Sequence, residues 1–146
     1  MTTLNLKYQF GWFLIIVLVK GLFMAGCTES SETTPRNDSS DSFSCLSVSN
    51  ETIEWIELEL REGLSLSNVK AVKSNDFENV YFISGYLKGE EISGSSIVTF
   101  SNTSISSSGM VYSANNMAST FSGWQESDRV SISNHGFRES QKCVSG

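Results

Sequence analysis

The apolar positions of this chain fall into two regimes. From residue 13 to residue 19 they are unbroken (FLIIVLV), and after Lys20 the apolar character resumes as far as residue 26. Beyond residue 43 they instead recur with the spacings of secondary structure. Ile53, Ile56 and Leu60 fall at helical spacing behind Ser49 or Asn50, with acidic residues in the first turn and Arg61 and Gly63 as stop signals. That pattern predicts a helix, although Ile56, Leu58 and Leu60 also alternate as a strand would. Residues 69–73 form a short strand candidate. Residues 79–88 (NVYFISGYLK) are rich in aromatic and β-branched side chains, with Val80, Phe82 and Tyr86 on one face and Tyr81, Ile83 and Leu87 on the other. A strand apolar on both faces belongs in the middle of a sheet.

A glycine-containing turn at 88–94 leads to a strand at 96–100 (SIVTF), and a serine-rich turn at 106–109 leads to another at 110–113. The order is that of an antiparallel meander. Asn115 or Asn116 then caps a helix in which Met117, Phe121 and Trp124 fall at i, i+4 and i+7, with Gly123 near its end. Residues 130–144 add one more short strand or a helical turn. The expectation is an α+β domain: a small antiparallel sheet of three or four strands with helices packed mainly on one face.

The first apolar regime reads as an address. A start carrying Lys7, a short apolar stretch and then small residues is the layout of a secretory signal. Met24-Ala25-Gly26-Cys27 resembles the lipobox of bacterial prelipoproteins, with Met24 where that family prefers Leu. The resemblance implies cleavage before Cys27, a diacylglyceryl group on its sulfur, and attachment to a membrane through acyl chains on Cys27. Two or more such chains hold a protein stably where one does not. Thr28 is not the Asp that retains enterobacterial lipoproteins in the inner membrane. The implied place is therefore extracytoplasmic: the outer membrane if the host has one, otherwise the outer face of the cell membrane. The alternative is an uncleaved anchor over residues 8–26, near the roughly 20 residues a helix needs to cross a bilayer, with Lys20 snorkelling.

On this reading residues 1–26 are the signal peptide, 27–42 a lipidated tether and 43–146 the folded domain. Residues 28–42 (TESSETTPRNDSSDS) hold no apolar residue besides Pro35, so they cannot offset the entropy of ordering and are expected to be disordered. With Cys27 consumed by lipid, Cys45 and Cys143 are the one intramolecular pair left, and an oxidising compartment favours a disulfide that clasps the ends of the domain. Two free thiols are the alternative. The strings at 77–84 and 117–124, with Cys143 near the end, are similar to those of small secreted bacterial envelope domains. That similarity implies no activity.

Charge and composition narrow the classes further. The chain of 146 residues has 16 Asp and Glu against 10 Lys and Arg, and every acidic residue follows Cys27. A nucleic-acid partner is disfavoured, since affinity for a phosphate backbone rests on clustered cations. An acidic face for a basic partner is one meaning of the imbalance; solubility beside an anionic membrane is the other. No glycine-rich phosphate loop, G-x-S-x-G or C-x-x-C is present.

The single histidine, His135, stands in a turn-like string (SNHG) and leaves no protein metal set, so neither metal nor cofactor is expected. The carboxylate pairs Asp76/Glu78, Glu90/Glu91 and Glu126/Asp128 fall in predicted turns, where charge is the ordinary solvated choice. Trp55 and Trp124 fall at helix positions and read as core or core edge; Trp124, near a helix end, and His135 are the candidate contact residues. The expectation is a non-catalytic, lipid-anchored module that binds an envelope protein or cell-wall component. The alternatives are a small hydrolase pairing His135 with a serine or carboxylate, and a small-ligand carrier with an enclosed apolar cavity.

Overall fold

The computed structural model describes residues 42–146; the expected signal peptide, Cys27 and the expected tether as far as residue 41 lie outside them. Five antiparallel strands pair in sequence order: β1 (Leu46–Ser47), β2 (Ser65–Lys73), β3 (Tyr81–Lys88), β4 (Ile97–Asn102) and β5 (Tyr112–Ser113). Helix α1 (Asn50–Glu57) lies between β1 and β2, while α2 (Asn116–Phe121) and α3 (Phe137–Ser145) follow β5. The α+β class and the meander stand. The strand count is five rather than three or four, because β1 is two residues long and carries no alternation of its own. Its place is set by pairing Leu46 with Ala71 and Ser47 with Lys70.

β3 is the central strand, and its alternation builds two cores. Ile83 and Leu87 join Ala71, Val98, Phe100 and Val111 beneath Ile56 of α1 and Ala118 of α2. Phe82 points the other way and meets Phe137 of α3 edge-on, with ring centroids 5.9 Å apart. Helices α1 and α2 thus cover one face of the sheet, and α3 alone covers the other, where only a strand or helical turn was expected. The sequence hides α3 because its inward positions are Phe137, Ser140 and Val144, too mixed to form an apolar stripe.

The contact of α3 with the sheet is correspondingly polar. Ser84 Oγ lies 2.9 Å from Thr99 Oγ1 and 2.8 Å from Ser140 Oγ, and Gln141 Nε2 donates to Thr99 Oγ1 at 3.0 Å. Ser84, Thr99 and Ser140 are fully buried, so each hydroxyl must find its partner within the protein. Cys45 and Cys143 are joined, closing a sequence separation of 98 residues and tying α3 to the segment that opens β1.

Local chemistry sets the element ends. Ser49 caps α1 by accepting from Thr52 N–H, and the helix stops at Glu57 rather than running on to Gly63. Leu58 is consequently left 70% exposed, while Leu60 bridges to Ser122. Asn115 caps α2, which ends at Phe121, so Trp124 lies beyond the helix in an extended segment rather than on its third turn. Within β2, Ser67 pairs with Tyr86 and Lys70 with Ser84, so Asn68 and Val69 together face Gly85 in a β-bulge. Asn68 adopts φ 49°, a conformation asparagine tolerates better than most residues. Its amide then reaches across to donate to Val144 O at the end of α3, at 2.7 Å.

Candidate functional site

Among the described residues, a broad concavity opens where β4 runs out of partners. β5 pairs with β4 only through Ser113–Phe100 and Tyr112–Ser101, so the sheet ends at Asn102. Beyond β5, Ser113 N–H donates to Gln125 O and its hydroxyl to Trp124 O. These bonds hold the loop at 125–130 upright as one wall, and the β2–β3 turn at 77–80 forms another. Between them lies a cleft of about 590 Å³.

Its polar lining is unspent. Ser101 and Asn102 both line the cleft at 2% and 1% exposure, yet Ser101 Oγ and Asn102 Nδ2 have no hydrogen-bond partner. Asn102 Oδ1 is engaged by Thr103 N–H at 2.8 Å, which fixes the amide. A buried polar group without a partner costs about 1–3 kcal/mol. Ser101 pairs with Phe82 and faces the side of the sheet where Val130 lines the cleft, while Asn102, the next residue, pairs with Tyr81 and faces the other side. Met110, 61% exposed, stands at the rim with Tyr112, whose hydroxyl donates to its sulfur at 3.1 Å. Glu78, Glu126, Asp128 and Arg129 also line it, three acidic residues to one basic.

A second groove of about 470 Å³ adjoins it, sharing Met110, Tyr112 and Gln125 and adding Glu59 and Trp124. Trp124 is half-buried: its indole N–H donates to Ile56 O at 2.9 Å, and its ring lies 5.9 Å from that of Trp55. It is core edge, with only part of its ring on the groove. A third hollow, about 310 Å³, is lined by Glu51, Glu54, Trp55, Leu58 and Ser108.

His135 sits apart from this cleft. Its Nε2 lies 3.3 Å from Asn75 Nδ2, and its Nδ1 is buried without a partner. The nearby Asp76 carboxylate accepts from the His135 backbone N–H at 2.7 Å and from Asn134 Nδ2 at 3.1 Å, rather than from the ring. The backbone bond first, then the Asn134 bond, holds Asp76 below the usual carboxylate range. Neither ring nitrogen has a serine hydroxyl or carboxylate in hydrogen-bond reach, the geometry a hydrolase would need. Asp76 and its neighbours instead pin the loop before α3 to the β2–β3 turn.

Cys27 lies outside the described residues. Cys45 and Cys143 form the disulfide. All three carboxylate pairs are exposed in turns or loops, and only Glu126/Asp128 and Glu78 reach the cleft. Among the described residues no three His, Cys, Asp or Glu side chains converge as a metal site would, and no helix is long and apolar enough to cross a membrane. Sequence reasoning missed Ser101, Asn102 and Met110, since a serine and an asparagine in a chain this rich in both carry no signal until their burial is known. Comparison with protein-family models, with curated proteins and with solved structures gives no match.

Proposed function

We propose that this chain is a lipid-anchored extracytoplasmic binding module. In this reading it is exported, cleaved and acylated at Cys27, held by the tether at 27–42, and presents the cleft at the end of β4 to a partner in the envelope. The observation that carries the binding role is the cleft itself, with the buried Ser101 hydroxyl in its lining left without a protein partner. The Cys45–Cys143 disulfide supports the compartment, because such bonds persist where the surroundings are oxidising. The geometry around His135 favours no hydrolytic alternative, and the open, mixed lining of the cleft does not suit an enclosed apolar carrier.

Two measurements test this. Intact mass of the protein from its native membrane is expected to show a chain starting at Cys27 with acyl mass, gaining two hydrogens on reduction. A full-length unmodified mass would overturn the anchor. Photo-crosslinking from a reactive side chain placed at Met110 is expected to capture a discrete partner that the same group at Glu90, in the β3–β4 turn, does not. Identical capture from both positions, or none from Met110, would overturn the cleft as the binding site.

A further inference from the structure

The negative charge of the domain is not spread over its surface. The described residues contain twelve Asp and Glu side chains and seven Lys and Arg. Six of the twelve (Glu51, Glu54, Glu59, Glu78, Glu126 and Asp128) line the cleft and its two neighbouring hollows, but only one of the seven, Arg129, does so. The rest of the domain is left with six of each sign. All of the net charge therefore sits on one band, which follows the β5 edge of the sheet from α1 to the loop at 125–130.

Apolar groups are interleaved with those carboxylates. Leu58 and Met110 are 70% and 61% exposed, and half-buried Trp55 lines the same hollow as Leu58 and half-buried Trp124 the same hollow as Met110. The hollows are also connected. The first two share Met110, Tyr112 and Gln125, and Trp55 Nε1 donates to Gly109 O beside the third, at 3.0 Å.

From this arrangement we infer that the band binds an extended basic polypeptide segment in which Lys or Arg alternates with apolar side chains. The inference rests on the binding reading above and names the partner's chemistry. Charge complementarity selects the sign: a polyanion or an anionic membrane is repelled, while a cationic chain is concentrated in a field focused by the cleft. The interleaving selects a polymer over a small amine, because a single cation fills one hollow and leaves Leu58 and Met110 in water. Guanidinium or ammonium groups over Trp55 and Trp124 add cation–π attraction.

The test uses the full chain in non-ionic detergent and a fluorescein-labelled peptide alternating lysine with leucine, followed by anisotropy. Saturable binding is expected. Glu126→Gln with Asp128→Asn, and separately Glu54→Gln with Glu59→Gln, should each weaken it about five- to tenfold, while Glu90→Gln with Glu91→Gln, equal in charge but off the band, should change it less than about twofold. The association rate should fall about tenfold between low and high salt, as for a steered encounter. Equal weakening by the Glu90/Glu91 variant would overturn the inference in favour of diffuse charge. Displacement by spermine at matched charge would overturn it in favour of a small polycation, and absence of saturable binding would overturn it outright. If the peptide fails while crosslinks from Met110 persist, only the partner class falls; if both fail, the binding reading falls with it.

Discussion

Asn115 is the side chain on which the open edge of β4 depends. Beyond Thr99 the strand has β5 beside it, but toward its start no strand pairs on that side, and Asn115 supplies the missing bonds. Its Oδ1 accepts from Thr99 N–H at 3.2 Å and from Ala118 N–H at 2.9 Å, and its Nδ2 donates to Ile97 O at 3.1 Å. One amide therefore caps α2 and mimics a neighbouring strand. Asn115→Ala removes three hydrogen bonds at about 1 kcal/mol each, for a loss of about 3 kcal/mol. In a domain of about 100 residues that lowers Tm by about 12–24 °C, at 4–8 °C per kcal/mol. Asn115→Ser keeps the cap and gives up the two strand bonds, so about 2 kcal/mol is expected. Asn115→Asp keeps both acceptor bonds but sets an oxygen against Ile97 O, for about 1–2 kcal/mol. Urea unfolding of the four proteins followed by tryptophan fluorescence measures the series. An alanine variant less than about 1 kcal/mol below the parent, or a serine variant as stable as the parent, would refute the dual role.

Three further outcomes are expected. Cys143→Ser should cost about 4–5 kcal/mol in the chain-entropy picture for a loop of this length, and protease should then cut first around α3, whose seat on the sheet is built of hydroxyls; intact cleavage resistance would contradict that account. Gly136 stands at φ 97°, and a Cβ there would lie 2.9 Å from Phe82 Cδ2, so Gly136→Ala should cost about 2–4 kcal/mol from strain and overlap together, read by thermal melting. The folded pKa of Asp76 is lowered from 3.8 by the bonds from His135 N–H and Asn134. Its stabilisation is therefore complete above the unfolded value and is lost as pH falls through the lowered one. Amide exchange at His135 should accelerate in that acid window in the parent and show no such step in Asp76→Asn.

Much of this fold was legible in one dimension. The residues at 79–88 carry apolar groups on both faces, which requires cover on both sides, and β3 is indeed the central strand. The meander order follows likewise from local chemistry, each cap falls on one of the two residues the sequence offered (Ser49 or Asn50, Asn115 or Asn116), and the Cys45–Cys143 clasp follows once Cys27 is set aside as the lipobox resemblance implies. Such features depend on neighbours in sequence or on one pairing with few alternatives.

Tertiary structure decided the rest. β1 exists only because Lys70 and Ala71 offer it an edge, and α3 is stable on the sheet because Ser84, Thr99 and Ser140 satisfy one another's hydroxyls. No periodicity announces either. Trp124, at helical spacing in the sequence, leaves the helix because Ser113 holds the backbone at 124–125 in an extended path. The candidate site is the least legible feature of all. Glu59, Glu78 and Glu126 are far apart along the chain and ordinary as surface residues, and Ser101 and Asn102 are ordinary as strand residues. Their charge segregation and their burial are properties of position in space, and position in space is what the β5 edge and the two loops around it supply.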